Sequence, residues 1–341
     1  MSARDIRRII ANATNLQITD RANIVLRVLS CLSSLGVGRV LMMPEGGGIR
    51  AHIGRWMLRS ENTGDAKFPV LDMVDMPVSG TVEDTITAAS AMREAGVSAI
   101  VVLGGDGTHR AVASACGDIP IAGISSGTNN AFPEHREPSL TGIAVGLAVT
   151  GKVPTNVAYR PNKRLVVASS AARRPEIAIV DVAIVSDRYV GARALWRVES
   201  FEDLLVTFAD PEVIGMSAIA GLLQPIGRSE PGGLHVEICP PSEARFVIDA
   251  PIAPGMVRPV GIRRVTRIAA GMPVTIKGRG GSIALDGERE FSFAETDTVS
   301  IALEEAAFRT IDVGAILRYA AKTGLMRKDP VERKSNEEAQ P

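Results

Sequence analysis

Short apolar runs alternate with helix-periodic segments over the first half of this chain, and few folds accept that alternation. RVLMMP (39–44), FPVLDMVDMP (68–77), SAIVVLGG (98–105) and IPIAGISSG (119–127) are strand-length runs punctuated by Gly or Pro. Such runs read as buried strands. Between them lie helices. GGGIRAHIGRWMLRS is a glycine loop followed by a helix. Thr81 to Asp84 has the form of a capping box, with Val82, Ile86, Ala89 and Met92 on one face behind it and Gly96 at its close. Gly107 to Cys116 is the next helix. Ahead of the first strand, Ile6, Ile9 and Ile10, then Ile24, Val28, Leu32 and Leu35, recur at helical spacings, and Gly36 stops the second helix. Strands and helices alternating at this spacing imply a doubly wound α/β domain over 1–153, its parallel sheet covered by helices on both faces. Residues 1–36 form a helical extension of that domain.

The pattern changes after residue 153. LVVASS, EIAIVDVAIV, HVEICP, PVTIKG and GSIALDG are short β-type runs separated by Pro and Gly, with a helix or two within 190–222. This predicts a β-rich, β-sandwich-like second domain over 154–303, mostly antiparallel. Glu304 to Thr323 reads as helical again, so 304–325 is expected to return to the first domain as a C-terminal helix. The polar tail 326–341 reads as disordered.

Composition narrows the function classes. The 341 residues carry 38 Lys+Arg against 38 Asp+Glu, a net charge of +0, so no global field attracts nucleic acid or an anionic membrane. Aromatic residues are 4%, too few for a base-stacking platform. Cys31, Cys116 and Cys239 are far apart and match neither a zinc spacing nor a disulfide framework. No run of about 20 apolar residues is present to span a bilayer, and MSARDIRRII lacks the apolar core of a secretory signal, so the cytoplasm is the expected compartment. The 33 glycines need a use, because each costs conformational entropy on folding.

The sharpest chemical signal is Gly104-Gly105-Asp106-Gly107-Thr108, at the carboxyl end of a buried strand and the start of a helix. Ligands of open α/β sheets bind at that edge. Without Cβ atoms in the way, phosphate oxygens can meet backbone N–H groups and the helix N-terminus. Asp106 could act as base or orient a magnesium-bound water, and Thr108 could donate its hydroxyl to phosphate. The plainer alternative is a strand-to-helix turn capped by Asp. One strand later, Gly127, Thr128, Asn129 and Asn130 offer neutral donors and acceptors for a ribose, base or phosphate, or simply an Asx-type turn. Asp286 and Glu288 flank Gly287: they could hold magnesium through water, Asp286 could be a base, or the segment could be a solvated hairpin turn. Asp187, with Arg188 and Arg193, could meet a nucleotide. Gly46 to Gly48 reads rather as a flexible connection, and His109 as a surface residue at a helix start.

GGDGT after a buried strand resembles the superfamily of NAD kinases, diacylglycerol kinases and sphingosine kinases. Ser125 to Phe132 (SSGTNNAF) looks like the GTxNDFA segment of the lipid-kinase branch, and Leu285 to Glu288 (LDGE) resembles the late DGE or DGQ element of these kinases. Over 39–320, order and coarse spacing match. The helical extension, SSGTNN and DVAIVSDRYVGARALW (181–196) look most like the acetoin-catabolism protein X group, an ATP-NAD kinase-like set. The NxGxLGFL segment of NAD kinases is absent, Ser186-Asp187 stands roughly where their Asn-Glu or Asn-Asp pair would be, and Asn130 stands where lipid kinases carry Asp.

The resemblance implies an NAD kinase-like two-domain fold with its site in the cleft between the domains. It implies an ATP-dependent kinase acting on a small-molecule hydroxyl, with magnesium, NAD as first acceptor, and a homo-oligomeric assembly. In that reading Asp106, Asp286 and Glu288 are catalytic; Gly104, Gly105, Gly107, Thr108, Gly127, Thr128, Asn129, Asn130 and Asp187 hold the nucleotide. A lipid kinase and a non-catalytic nucleotide- or metabolite-binding regulator are the other readings.

Overall fold

The computed structural model describes residues 16–64, 67–126, 130–187 and 197–327. The helical repeats at Ile6 to Ile10 and the tail from 328 lie outside the described residues. The first half runs α1 (Ile18–Ser34), β1 (Arg39–Met42), α2 (Ile49–Thr63), β2 (Val70–Met73), α3 (Val82–Glu94), β3 (Ile100–Gly104), α4 (Asp106–Ala113), β4 (Ile121–Ser125) and α5 (Pro138–Val149). After the short α6 (Thr155–Ala158) come β5 (Tyr159–Ser169), β6 (Glu176–Ala178), β7 (Asp181–Val185), β8 (Phe201–Val206), α7 (Met216–Leu223), β9 (Gly233–Cys239), β10 (Phe246–Ala253) and β11 (Met256–Ile268). The chain closes with β12 (Val274–Ile276), β13 (Gly281–Leu285), β14 (Glu288–Phe293), β15 (Val299–Ile311) and α8 (Val313–Thr323).

β3 and β4 pair in parallel, Ile100 opposite Ile121 through to Gly104 opposite Ser125. Side chains alternate across a strand, so these two strands bury both faces. Val101, Leu103, Ala122 and Ile124 face α1, α5 and α8, whereas Ile100, Val102 and Ile121 pack with Ala89 of α3 and Val112 of α4. The parallel sheet is less continuous than the sequence pattern implies. β1 and β2 pair in parallel as their own two-stranded sheet. β4 continues instead into β15, then antiparallel β5 and β6, with β12 also on β15.

That insertion corrects the reading of the C-terminal region. The helix expected from Glu304 begins only at Val313, capped by the Asp312 carboxylate, which accepts the Ala315 N–H at 2.9 Å; residues up to Ile311 belong to a strand. The reason is a bulge. The β15–β5 register shifts between Glu304 and Phe308, and Ala306 takes a left-handed φ of 51°. Three residues of β15 stand against one of β5 there, and the two extra residues interrupt the alternation and hide the strand in the sequence.

The second sheet is antiparallel and seven-stranded, in the order β10-β11-β9-β8-β7-β13-β14. One face buries Ile219 and Ala220 of α7. On the other, Val182, Ile184, Leu205, Ile283 and Leu285 pack against Leu165, Val167, Ile301 and Leu303 of the six-stranded sheet. At roughly 25 cal/mol per Å² of apolar area, this sheet-on-sheet core fixes how the two halves meet. It also brings the start of β7 and the β13–β14 turn beside the loop after β3.

Candidate functional site

Gly104 ends β3, Gly105 is the extended N-cap residue and Asp106 opens α4. None of Gly104, Gly105 and Gly107 has a positive φ, so none is required by a left-handed backbone. Gly104 is required by packing, since a Cβ there would sit 2.5 Å from Thr108 Cβ. Around Gly107 a Cβ would meet nothing within 4 Å, so the first turn of α4 has an open face over its backbone.

Asp106 does not point into that space. Its Oδ2 accepts the Ala131 N–H and its Oδ1 the Phe132 N–H, both at 2.9 Å. The carboxylate at the head of α4 thus ties down the segment that follows β4. From the far side, Arg228 donates to the Ala131 carbonyl at 2.9 Å and the Phe132 carbonyl at 2.7 Å. Its guanidinium lies over the rings of Phe132 and Phe208, 4.7 and 4.4 Å from their centroids. Lys163, buried on β5, fixes the segment that carries Arg228 by donating to the carbonyls of Gly227, Glu230 and Gly232.

His109, expected at the surface, is fully buried. Its Nδ1 donates to the Gly105 carbonyl at 2.9 Å, while Nε2 lies against Gly123 and lacks a hydrogen-bond partner. Burial pushes its pKa down to about 4, so the ring is neutral.

The β13–β14 turn supplies the second carboxylate. Asp286 and Gly287 both take positive φ, 50° and 80°, as a two-residue hairpin turn requires. The Asp286 side chain folds inward, and its Oδ1 accepts N–H groups from Ile179 at 3.0 Å, Val180 at 2.8 Å and Asp181 at 3.3 Å. Burial raises its pKa to about 7, with Arg110 pulling down and Asp106 pushing up.

Asp181, first residue of β7, completes a trio that the sequence analysis did not single out. It is fully buried, and burial, then Asp286 and Asp106, hold its carboxyl well above the usual range. Its Oδ1 has no hydrogen-bond partner. A lone acid inside the apolar run EIAIVDVAIV was the available signal.

Arg110 is the counter-charge. One helical turn after Asp106 on α4, it places Nε 3.8 Å from Asp286 Oδ2 and donates to Glu290 at 2.5 Å and to the Leu285 carbonyl at 3.4 Å. The i,i+4 spacing from Asp106 puts the two on one face of α4. Glu288, partly exposed at the start of β14, faces Leu285 across the turn and adds its charge to the field at Arg110.

The remaining predicted residues divide. Asn130 donates to Ser125 Oγ at 2.8 Å. Gly127, Thr128 and Asn129, like Arg188 and Arg193, lie outside the described residues. Asp187 is not brought to the carboxylates: six residues beyond Asp181 along an extended strand, it stands roughly 20 Å away. That opposite end of the sheet opens on a separate cavity of about 590 Å³, lined by Ser186, Asp203, His235 and Arg279 among others. There Asp203 accepts from His235 at 2.6 Å and pairs with Arg279. In the glycine loop after β1, the Glu45 carboxylate accepts the Gly47 and Arg50 N–H groups, so those donors are already met.

Among the described residues, no three His, Cys, Asp or Glu side chains are grouped to hold a metal ion. Nor does any described helix have the length and apolarity to cross a membrane.

Comparisons with known proteins agree with this layout. The family model described as the ATP-NAD kinase N-terminal domain matches residues 8–152, and that of the acetoin catabolism protein X C-terminal domain matches 163–306. Yeast NADH kinase, solved with NADH, superposes with a TM-score of 0.50 at 14% identity, covering 91% of this chain and 85% of that one, which shows an NAD kinase-like fold. The NAD kinase of Archaeoglobus fulgidus, solved with ATP, gives a TM-score of 0.39 at 15% identity over 82% of this chain and 95% of that one. Acetoin catabolism protein X of Cupriavidus necator is 50% identical over 333 residues, 97% of this chain and 92% of that protein. With both halves matched in order and half of all residues shared end to end, the chain belongs to the acetoin catabolism protein X family.

Proposed function

We propose that this protein is an ATP-dependent kinase that phosphorylates a hydroxyl of a small molecule, with NAD or a related metabolite as acceptor. The observation that carries the reading is the meeting of the open glycine loop at Gly107 with the buried carboxylates Asp106, Asp181 and Asp286 at one sheet edge. Backbone N–H groups at the head of α4 suit phosphate. A carboxyl with a pKa of about 7 suits a base at neutral pH. In the transfer, the acceptor oxygen forms a bond to the γ-phosphorus, the bond to the β,γ-bridging oxygen breaks, ADP leaves, and the hydroxyl proton passes to a carboxylate. Backbone N–H groups hold both oxygens of Asp106 and of Asp286, and Asp286 is assigned as the base for its pKa of about 7. Asp106 then acts as organiser of the loop.

The carboxylates are engaged or near neutral, so they form no metal cage; magnesium enters as the MgATP substrate. Glu288 and Asn130 border the site, and Thr128 and Asn129 are retained as nucleotide contacts from the family resemblance. The same resemblance supports a homo-oligomer and, through the relative's name, a place in acetoin catabolism.

A second reading has its own support. An Asp106 fully occupied in holding a loop fits a nucleotide-binding regulator that transfers nothing. Purified protein with MgATP and NAD, scored for NADP and ADP, with parallel wells of hydroxylated metabolites and a diacylglycerol arm, separates these. ADP release dependent on an acceptor supports the kinase. ATP binding with no ADP release from any acceptor supports the regulator.

A further inference from the structure

We propose that Arg228 is a positioning residue for the nucleotide site, holding the segment after β4 in the shape to which Asp106 then binds. The proposal rests on the nucleotide-binding reading above for its consequence, but its geometry stands alone. Ala131 and Phe132 give their N–H groups to Asp106 and their carbonyls to Arg228, so the peptide unit between them is held on both edges and its two neighbours on one edge each. Neither side chain belongs to that segment: one comes from α4, the other from the connection between α7 and β9. A single carboxylate can fix two N–H groups yet leaves the peptide planes free to tilt. A guanidinium on the opposite carbonyls removes that freedom, because its planar donors have one orientation.

The Arg228 side chain is itself held. It is sandwiched between Phe132 and Phe208, and its segment is pinned by three carbonyl bonds from Lys163. The chain Lys163, Arg228, Ala131–Phe132, Asp106 therefore runs from the β-rich half to the head of α4. Burying a guanidinium is costly, and an exposed loop needs no such device. A segment that must hold its shape beside the phosphate-facing head of α4 does need one.

The test uses Arg228→Met and Arg228→Lys in the full-length protein, with amide hydrogen exchange and ATP titration. In Arg228→Met the Ala131 and Phe132 amides exchange roughly 10- to 100-fold faster than in wild type, while Val102 in β3 and Leu204 in β8 stay protected. ATP binding weakens by a similar factor, read as a raised KM for ATP with kcat little changed where turnover is measurable. Both bonds leave one nitrogen of Arg228, so Arg228→Lys, which keeps the charge and a donor nitrogen but loses the planar stack on the two rings, restores part of both readouts. Wild-type exchange at Ala131 and Phe132 in either folded variant overturns the proposal. Faster exchange with no ATP binding even by wild type leaves the positioning role standing and removes the nucleotide reading instead.

Discussion

Asp106 and Arg228 grip the same two residues from opposite sides, the acid on the N–H groups of Ala131 and Phe132 and the base on their carbonyls. The aspartate of a glycine loop is thereby a structural tie before it is anything else. Its replacement should show in stability as well as function. An amide at position 106 accepts with one oxygen and turns an NH₂ toward the second N–H. Asp106→Asn is therefore expected to lose about 1–3 kcal/mol in urea unfolding, and to lose ATP binding with it. Unchanged stability would mean that the loop is held from elsewhere.

The glycines separate by mechanism. Gly107→Ala places a methyl group where nothing lies within 4 Å and removes a helix-weakening residue from α4. The variant should be neutral to about 1 kcal/mol more stable, yet bind ATP more weakly because the methyl stands where phosphate approaches. Gly104→Ala collides with Thr108 and should cost roughly 1–3 kcal/mol with no ligand present. Thermal melts with and without ATP read both.

Asp286 makes stability depend on pH in a defined sense. Its folded pKa of about 7 lies above the ordinary 3.8, so between those values the folded state binds the proton more tightly than the unfolded chain. Its contribution is present below pH 4 and is lost as pH rises toward 7, by about 4 kcal/mol at most. Asp286→Asn keeps a residue that tolerates the left-handed turn. The stability of wild type minus that of this variant should fall from pH 4 to pH 8, measured by urea unfolding at each pH.

His109 works in the opposite direction. Its folded pKa of about 4 lies below the ordinary 6.5, so the unfolded chain takes up the proton first. Stability from keeping it neutral is present above pH 6.5 and is lost as pH falls toward 4, by up to about 3 kcal/mol. His109→Gln should show its smallest disadvantage at acid pH. A difference from wild type that stays constant across this window would show that the ring is protonated in the fold.

Arg110 joins α4 to the β13–β14 hairpin through Asp286, Glu290 and the Leu285 carbonyl. Arg110→Met leaves a trio of buried carboxyls without its near counter-charge. The pH dependence assigned to Asp286 should then extend above pH 7, and the variant should lose roughly 3–5 kcal/mol at pH 8. Stability curves from pH 5 to pH 9 check this.

What the sequence determined was local. Four apolar runs became β1 to β4 because strand burial is written into consecutive residues, and GGDGT fell at a strand-to-helix edge because glycine, acid and helix start are neighbours in the chain. The turn at Asp286-Gly287 was legible for the same reason. What only the tertiary structure decided was partnership across distance. Asp181 joins Asp106 and Asp286 because two sheets pack face to face, and no periodicity announces which residues of two sheets will meet. Asp187 is separated from them by the length of one strand. β15 entered the first sheet through a bulge that erased its alternation, so a strand read as a helix. Arg228 holds a loop almost a hundred residues away because a buried guanidinium takes its place from the packing around it, from two phenylalanine rings and a lysine that the chain order keeps apart.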